Sequence, residues 1–132
     1  MKNLDDLLSD FNGNAGASPR EIKAALDALK LSLPSDYIAF LEATNGGEGM
    51  IGETYLILWK AGELQEMNVS YQVSEYAPEI LLIGSDGGGE AFAFDTRASH
   101  WPVVKVPFVG MELDCVEVVA PSFDAFLKGL AG

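Results

Sequence analysis

Residues 80–97 read Ile80-Leu81-Leu82-Ile83-Gly84-Ser85-Asp86-Gly87-Gly88-Gly89-Glu90-Ala91-Phe92-Ala93-Phe94-Asp95-Thr96-Arg97. Two short apolar runs, Ile80–Ile83 and Ala91–Phe94, flank one glycine-rich turn. This predicts two adjacent strands joined by a hairpin, with the glycines supplying the positive φ that the reversal needs. A phosphate-binding loop would lead from a strand into a helix and bring a lysine. Here strand character lies on both sides, the loop holds no lysine, and Asp86 and Glu90 repel phosphate. The stretch reads as part of a sheet and not as a nucleotide site.

Working outward, Tyr55–Trp59 and Val103–Val106 are further strand candidates, with Pro107 confining the second to a sheet edge or closing its own end. Cys115–Val119 is another. Glu63–Tyr76 stays open: Leu64, Met67, Val69 and Tyr71 fit an alternating strand, and a helix over part of the segment fits equally well. On the N-terminal side, Leu4, Leu7, Leu8 and Phe11 repeat as on a short helix, and Asn12–Ala17 reads as a flexible connector. Ser18, Pro19 and Glu21 then form a helix start, in which the serine hydroxyl and the glutamate carboxylate take free backbone N–H groups reciprocally. Ile22, Ala25, Leu26 and Leu29 make its apolar stripe. A third helix begins at Pro34 and runs through Thr44, turning Tyr37, Phe40 and Leu41 inward, until Asn45-Gly46-Gly47 stops it. Ser122–Leu130 closes the chain as a helix capped by Ser122. Helices at both ends of a run of adjacent strands predict an α+β fold: a central, mainly antiparallel β-sheet flanked by N-terminal helices and a C-terminal helix. At 132 residues the chain is long enough for one domain with its own core, residues 1–17 forming an N-terminal helix and connector and residues 18–132 the domain proper.

The formal net charge of −12, from 20 acids and 8 lysines and arginines, speaks against nucleic acid and against an anionic membrane surface as direct partners. One cysteine makes no internal disulfide, Asp5 and Asp6 interrupt any leader-peptide core, and the longest apolar runs are too short to span a bilayer. The expectation is a soluble cytoplasmic protein, in which the sequon Asn68-Val69-Ser70 is coincidental. The charge is uneven: residues 31–96 hold 11 acids and one base, Lys60, while the remaining residues hold 9 acids and 7 bases.

Candidate chemistry is sparse. Asp86, Glu90 and Asp95 with His100 are the residues that an acid–base or calcium reading would use, but the D-x-D-x-D-G pattern is missing. His100 is the only histidine, so two-histidine metal signatures are excluded. Cys115, beside Asp114 and Glu117 in an apolar run, reads as an inert, packed thiol, and no G-x-S-x-G elbow occurs. No catalytic residues, metal ligands or cofactors are assigned. Trp59 and Trp101 are candidate interface anchors, and core packing accounts for them as readily.

The segment Leu33-Pro34-Ser35-Asp36-Tyr37-Ile38-Ala39-Phe40-Leu41, stopped by Asn45-Gly46-Gly47, resembles the N-terminal signature of the SUKH superfamily, named partly for the yeast cell-wall-assembly and killer-toxin-resistance regulator. The run ILLIGSDGGGEAFAFDTR, ending its second strand in Phe94-Asp95, is similar to that superfamily's central strand–glycine loop–strand. Trp59 falls where the family often has an aromatic residue on its first strand. The resemblance spans about residues 18–130, and Met111–Val119 departs from it. It implies an α+β domain with helices around a mainly antiparallel sheet. Bacterial members resemble immunity proteins that bind and neutralise toxins, fungal members act in cell-wall signalling, and no catalytic set carries over. The leading expectation is therefore a non-enzymatic binding protein that occludes a basic toxin domain, of nuclease type, through the acidic segment. Glu48, Glu53, Asp86 and Glu90 are the candidate charges and Trp59 or Trp101 the apolar anchor. An adaptor for an endogenous protein, and a small enzyme or metal binder built on Asp86, Glu90, Asp95 and His100, stand as alternatives.

Overall fold

The computed structural model describes residues 4–131, with side chains from residue 6 onward. Met1, Lys2 and Asn3, the side chains of Leu4 and Asp5, and Gly132 lie outside the described residues, and with them part of the leader-peptide reading and of the first apolar repeat.

Seven strands form one antiparallel sheet in which every strand pairs with its neighbours in chain order: β1 (Phe11–Gly13), β2 (Gly47–Ile51), β3 (Thr54–Leu58), β4 (Ile80–Ser85), β5 (Glu90–Asp95), β6 (Val103–Pro107) and β7 (Glu117–Ala120). Helices precede, interrupt and close the meander: α1 (Leu4–Leu7) before β1, α2 (Pro19–Leu29) and α3 (Ser35–Ala43) between β1 and β2, α4 (Leu64–Ser70) and α5 (Val73–Tyr76) between β3 and β4, and α6 (Phe123–Ala131) after β7. The architecture is the α+β arrangement expected from the sequence. The glycine-rich hairpin is β4–β5, and Pro107 ends β6, which lies inside the sheet.

Local signals explain the helices. Ser18 Oγ accepts from the Glu21 N–H at 3.1 Å while Glu21 Oε1 accepts from the Ser18 N–H at 3.0 Å, completing the capping box of α2. Helix α3 ends at Ala43, and the turn that follows rests on Gly46, whose φ is +74° and whose missing Cβ would lie 2.5 Å from the Leu58 carbonyl oxygen. Asn45 does not take the left-handed conformation itself. Its buried side chain accepts from the Ala61 N–H at 2.8 Å and ties the end of α3 to the chain beyond β3.

Three expectations are corrected. Phe11 does not continue the first helix: it begins β1, opposite Gly49, because the glycines of β2 let an edge strand approach closely. A Cβ at Gly49 would lie 2.5 Å from the Asp10 oxygen and one at Gly47 2.3 Å from the Asn12 oxygen. Residues Asn12–Ala17 are no free connector, since the Asn14 N–H donates to the Gly46 carbonyl at 2.9 Å and the Ala17 N–H to the Leu41 carbonyl at 2.8 Å. Cys115 is not packed in a strand. It lies exposed in a 3₁₀ turn, Leu113–Cys115, and β7 begins only at Glu117.

The open choice at 63–76 resolves as helix. After β3 ends, β4 would present an unpaired edge at Leu82. Asn68 of α4 fills it: Oδ1 accepts from the Leu82 N–H at 2.8 Å, and Nδ2 donates to the Leu82 carbonyl at 3.0 Å and to the Leu64 carbonyl at 2.8 Å. The side-chain amide stands in for a neighbouring strand. The sequon asparagine is thus a structural residue.

The register divides the sheet into two faces. Glu48, Ile57, Ser85, Ala91 and Val106 form one cross-strand row, and Leu58, Gly84, Phe92, Lys105 and Glu117 form a row on the other face. Phe92 and Phe94 point to the helical layer, where Phe92 meets Phe126 at 4.9 Å between centroids and Tyr37 meets Phe94 at 5.2 Å and Phe123 at 4.9 Å. Helices α3 and α6 therefore cover this second face, with the principal aromatic core between. Gly84 lets β4 approach β3 closely, since a Cβ there would be 2.0 Å from the Ile57 carbonyl oxygen.

Candidate functional site

The acidic segment is largely uncompensated. Among the described residues, Asp95 is the only acid of 31–96 in an ion pair; the other pairs are Lys23–Asp27, Lys105–Glu117 and Lys128–Asp124. Asp95 is buried and held by both Arg97 Nε at 2.9 Å and Arg97 Nη2 at 2.8 Å. The Arg97 hydrogen bonds keep its carboxyl below the ordinary carboxylate range, against a smaller opposing effect of burial. Asp86 is also engaged: its Oδ1 accepts from the Gly88 N–H at 2.7 Å and the Glu90 N–H at 3.3 Å, while Ser85 Oγ accepts from the Gly87 N–H at 3.0 Å. The glycine loop is thus held by its own side chains. Its carboxylate serves the turn.

The candidate partner-binding residues do not share one surface. Asp86 and Glu90 border a groove of about 410 Å³ between the β4–β5 hairpin and α6, with Phe92, Phe126 and Leu130 among its apolar lining and Lys105 beside it. Glu48 and Trp59 line a separate depression of about 440 Å³ on the opposite sheet face, with Asn12, Tyr55, Ile57 and Glu63. Glu53 is exposed in the β2–β3 turn beside Gly52, whose φ is +61°. Trp101 is half-buried against Phe94, 5.9 Å between centroids, on the helical side.

The depression continues into an aromatic array that the sequence reading did not single out. Trp59 stacks on Tyr71, with centroids 6.4 Å apart and planes 11° from parallel, and Tyr71 meets Phe108 at 4.6 Å. The three rings come from the residue after β3, the residue after α4 and the residue after β6, so only the tertiary fold assembles them. Trp59 is buried, Phe108 half-buried and Tyr71 exposed at 38%. Tyr55, also exposed, donates its hydroxyl to Glu48 Oε2, and that hydrogen bond raises the phenol above its ordinary pKa. Glu63 Oε1 accepts from the Lys60 N–H at 2.8 Å. The one legible signal for this array was alternation along β3, which turns Tyr55, Ile57 and Trp59 to one side.

Cys115 Sγ donates to Glu112 Oε1 at 3.8 Å, and its pKa is raised by desolvation and by the Glu112 carboxylate. His100 is exposed. Among the described residues, no three His, Cys, Asp or Glu side chains are grouped to hold a metal ion, and no helix is long and apolar enough to cross a membrane.

Residues 16–129 match the model of the SMI1 / KNR4 family (SUKH-1). No curated protein matches the chain.

Proposed function

The chain belongs to the SMI1 / KNR4 family (SUKH-1), and on that premise we propose that it is a non-enzymatic, immunity-type protein that binds and neutralises a basic toxin domain in the cytoplasm. The observation that carries this is the acidic segment 31–96, in which, among the described residues, one of 11 acids, Asp95, is in an ion pair. Uncompensated acids on one stretch of fold steer a basic protein into encounter and compete with its anionic substrate. Two of the four residues that an enzyme or metal reading would draw on are already engaged: Asp95 by Arg97 and Asp86 by the backbone of its own loop.

Co-expression with the product of the adjacent gene tests the proposal. The expected result is a stable complex whose association slows steeply as ionic strength rises, and protection of cells that express the toxin domain. If the neighbouring product is no toxin and no toxin domain binds, the proposal fails. If deletion leaves toxin susceptibility unchanged while an endogenous partner co-purifies, the protein is an adaptor instead.

A further inference from the structure

We infer that the exposed β2–β3 end of the sheet face that carries Trp59 is the docking surface for an arginine-bearing segment of the basic partner. The inference rests on the protein-binding reading above and names the surface within it. Four observations converge on this face. First, the helical layer of α3 and α6 covers the opposite side of the sheet, while Glu48, Met50, Tyr55 and Tyr71 remain exposed here. Second, its depression of about 440 Å³ is bordered by the carboxylates Glu48 and Glu63, and among the described residues no lysine or arginine lines it. Third, Tyr71 is braced by Trp59 and Phe108, so its exposed ring is held in one orientation before any partner arrives. Fourth, Tyr55 is tied to Glu48, which fixes an aromatic ring beside a carboxylate.

Rigid rings beside carboxylates match one side chain better than others. A guanidinium is planar, stacks on aromatic faces and pairs with carboxylates, whereas an ammonium is a strongly hydrated point charge. A second copy of this chain does not fit, because it would bring −10 of segment charge against −10. The groove at Asp86 and Glu90 suits the role less well, because Lys105 lies in its lining.

The test uses the full chain with two probes, a tetra-arginine and a tetra-lysine peptide, at about 150 mM salt, where long-range attraction is screened. Amide and indole chemical shifts are followed by NMR. The expected shifts concentrate on Glu48, Tyr55, the Trp59 indole, Glu63 and Tyr71, and the arginine peptide binds about 3-fold more tightly than the lysine peptide. The double variant Glu48→Gln/Glu63→Gln is expected to lose about 10-fold in affinity for tetra-arginine, and the charge-matched Glu42→Gln/Glu75→Gln less than about 2-fold. Shifts centred on the Asp86–Glu90 groove, equal affinity for the two peptides, or equal losses in the two double variants would each overturn the inference. The wild-type shift map needs no variant to fold. A toxin that binds wild type and Glu48→Gln/Glu63→Gln equally well removes this surface and leaves the binding function standing; a toxin that binds neither removes the function itself.

Discussion

The Asp36 carboxylate accepts a hydrogen bond at 3.0 Å from the backbone N–H of Asp124, 88 positions further along the chain. Its other oxygen accepts from the Tyr37 N–H at 2.8 Å. One side chain thus serves the first turn of α3 and the first turn of α6. Each helix N-terminus has free donors and a positive dipole end, and a single anion between them meets both needs. Ser122 Oγ takes a further α6 donor, the Ala125 N–H, at 3.1 Å.

Asp36→Ala is therefore expected to cost about 1 kcal/mol and to lower Tm by about 3 °C. Asp36→Asn should recover part of the loss, since its amide oxygen can serve one of the two helices. Thermal unfolding followed by circular dichroism checks both; an unchanged Tm for Asp36→Ala would show that the bridge carries no stability.

Tyr37 presents the opposite case. Its ring is central to the core, yet its hydroxyl is buried with no hydrogen-bond partner among the described residues. Burial also pushes its ionisation far above the ordinary phenol range. Tyr37→Phe keeps the edge contacts with Phe94 and Phe123 and removes the unsatisfied donor. It should raise stability by about 1 kcal/mol, read as a higher urea midpoint with an unchanged slope. A lower midpoint would mean that the hydroxyl has a partner after all.

Asn68→Ala leaves the Leu82 N–H and carbonyl without the amide that now completes their edge. The expected cost is about 2–3 kcal/mol, with the Leu82 amide exchanging much faster with solvent. Ser70→Ala abolishes the sequon without touching these bonds and should stay within about 0.5 kcal/mol of wild type. Equal effects of the two substitutions would contradict the structural role of Asn68.

The Asp95–Arg97 pair sets a pH dependence with a definite sign. Because the folded carboxyl is held below its unfolded value of about 4, the pair contributes fully above that value. The contribution is lost as pH falls through the lower, folded value. Arg97→Ala should therefore shift acid unfolding to higher pH. A pH titration of the far-ultraviolet signal reads this, and an unmoved midpoint would show that the pair is energetically silent.

Much of the fold was legible because its signals are local. The capping box at Ser18 and Glu21 spans three residues, and one turn of helix brings its partners together wherever the helix lies. The glycine-rich hairpin and the helix after Ser122 are readable for the same reason. Segment 63–76 was not, since its apolar residues fit two periods and the deciding contact, Asn68 with Leu82, lies 14 residues away. Phe11 was misplaced because what makes it a strand is a pair of glycines in β2, far along the chain.

The candidate site divides along the same line. Composition and short-range pattern already carry the α+β class, the family signature and the location of −10 of the −12 charge between residues 31 and 96. Those are properties of composition and of neighbours within a few residues. The folded chain alone places Glu48 and Trp59 on one sheet face and Asp86 and Glu90 at a groove elsewhere, and brings Tyr71 and Phe108 to Trp59. The reason is register: a shift of one residue in strand pairing exchanges the two faces of a sheet, and pairing is set by long-range hydrogen bonds that no local pattern records.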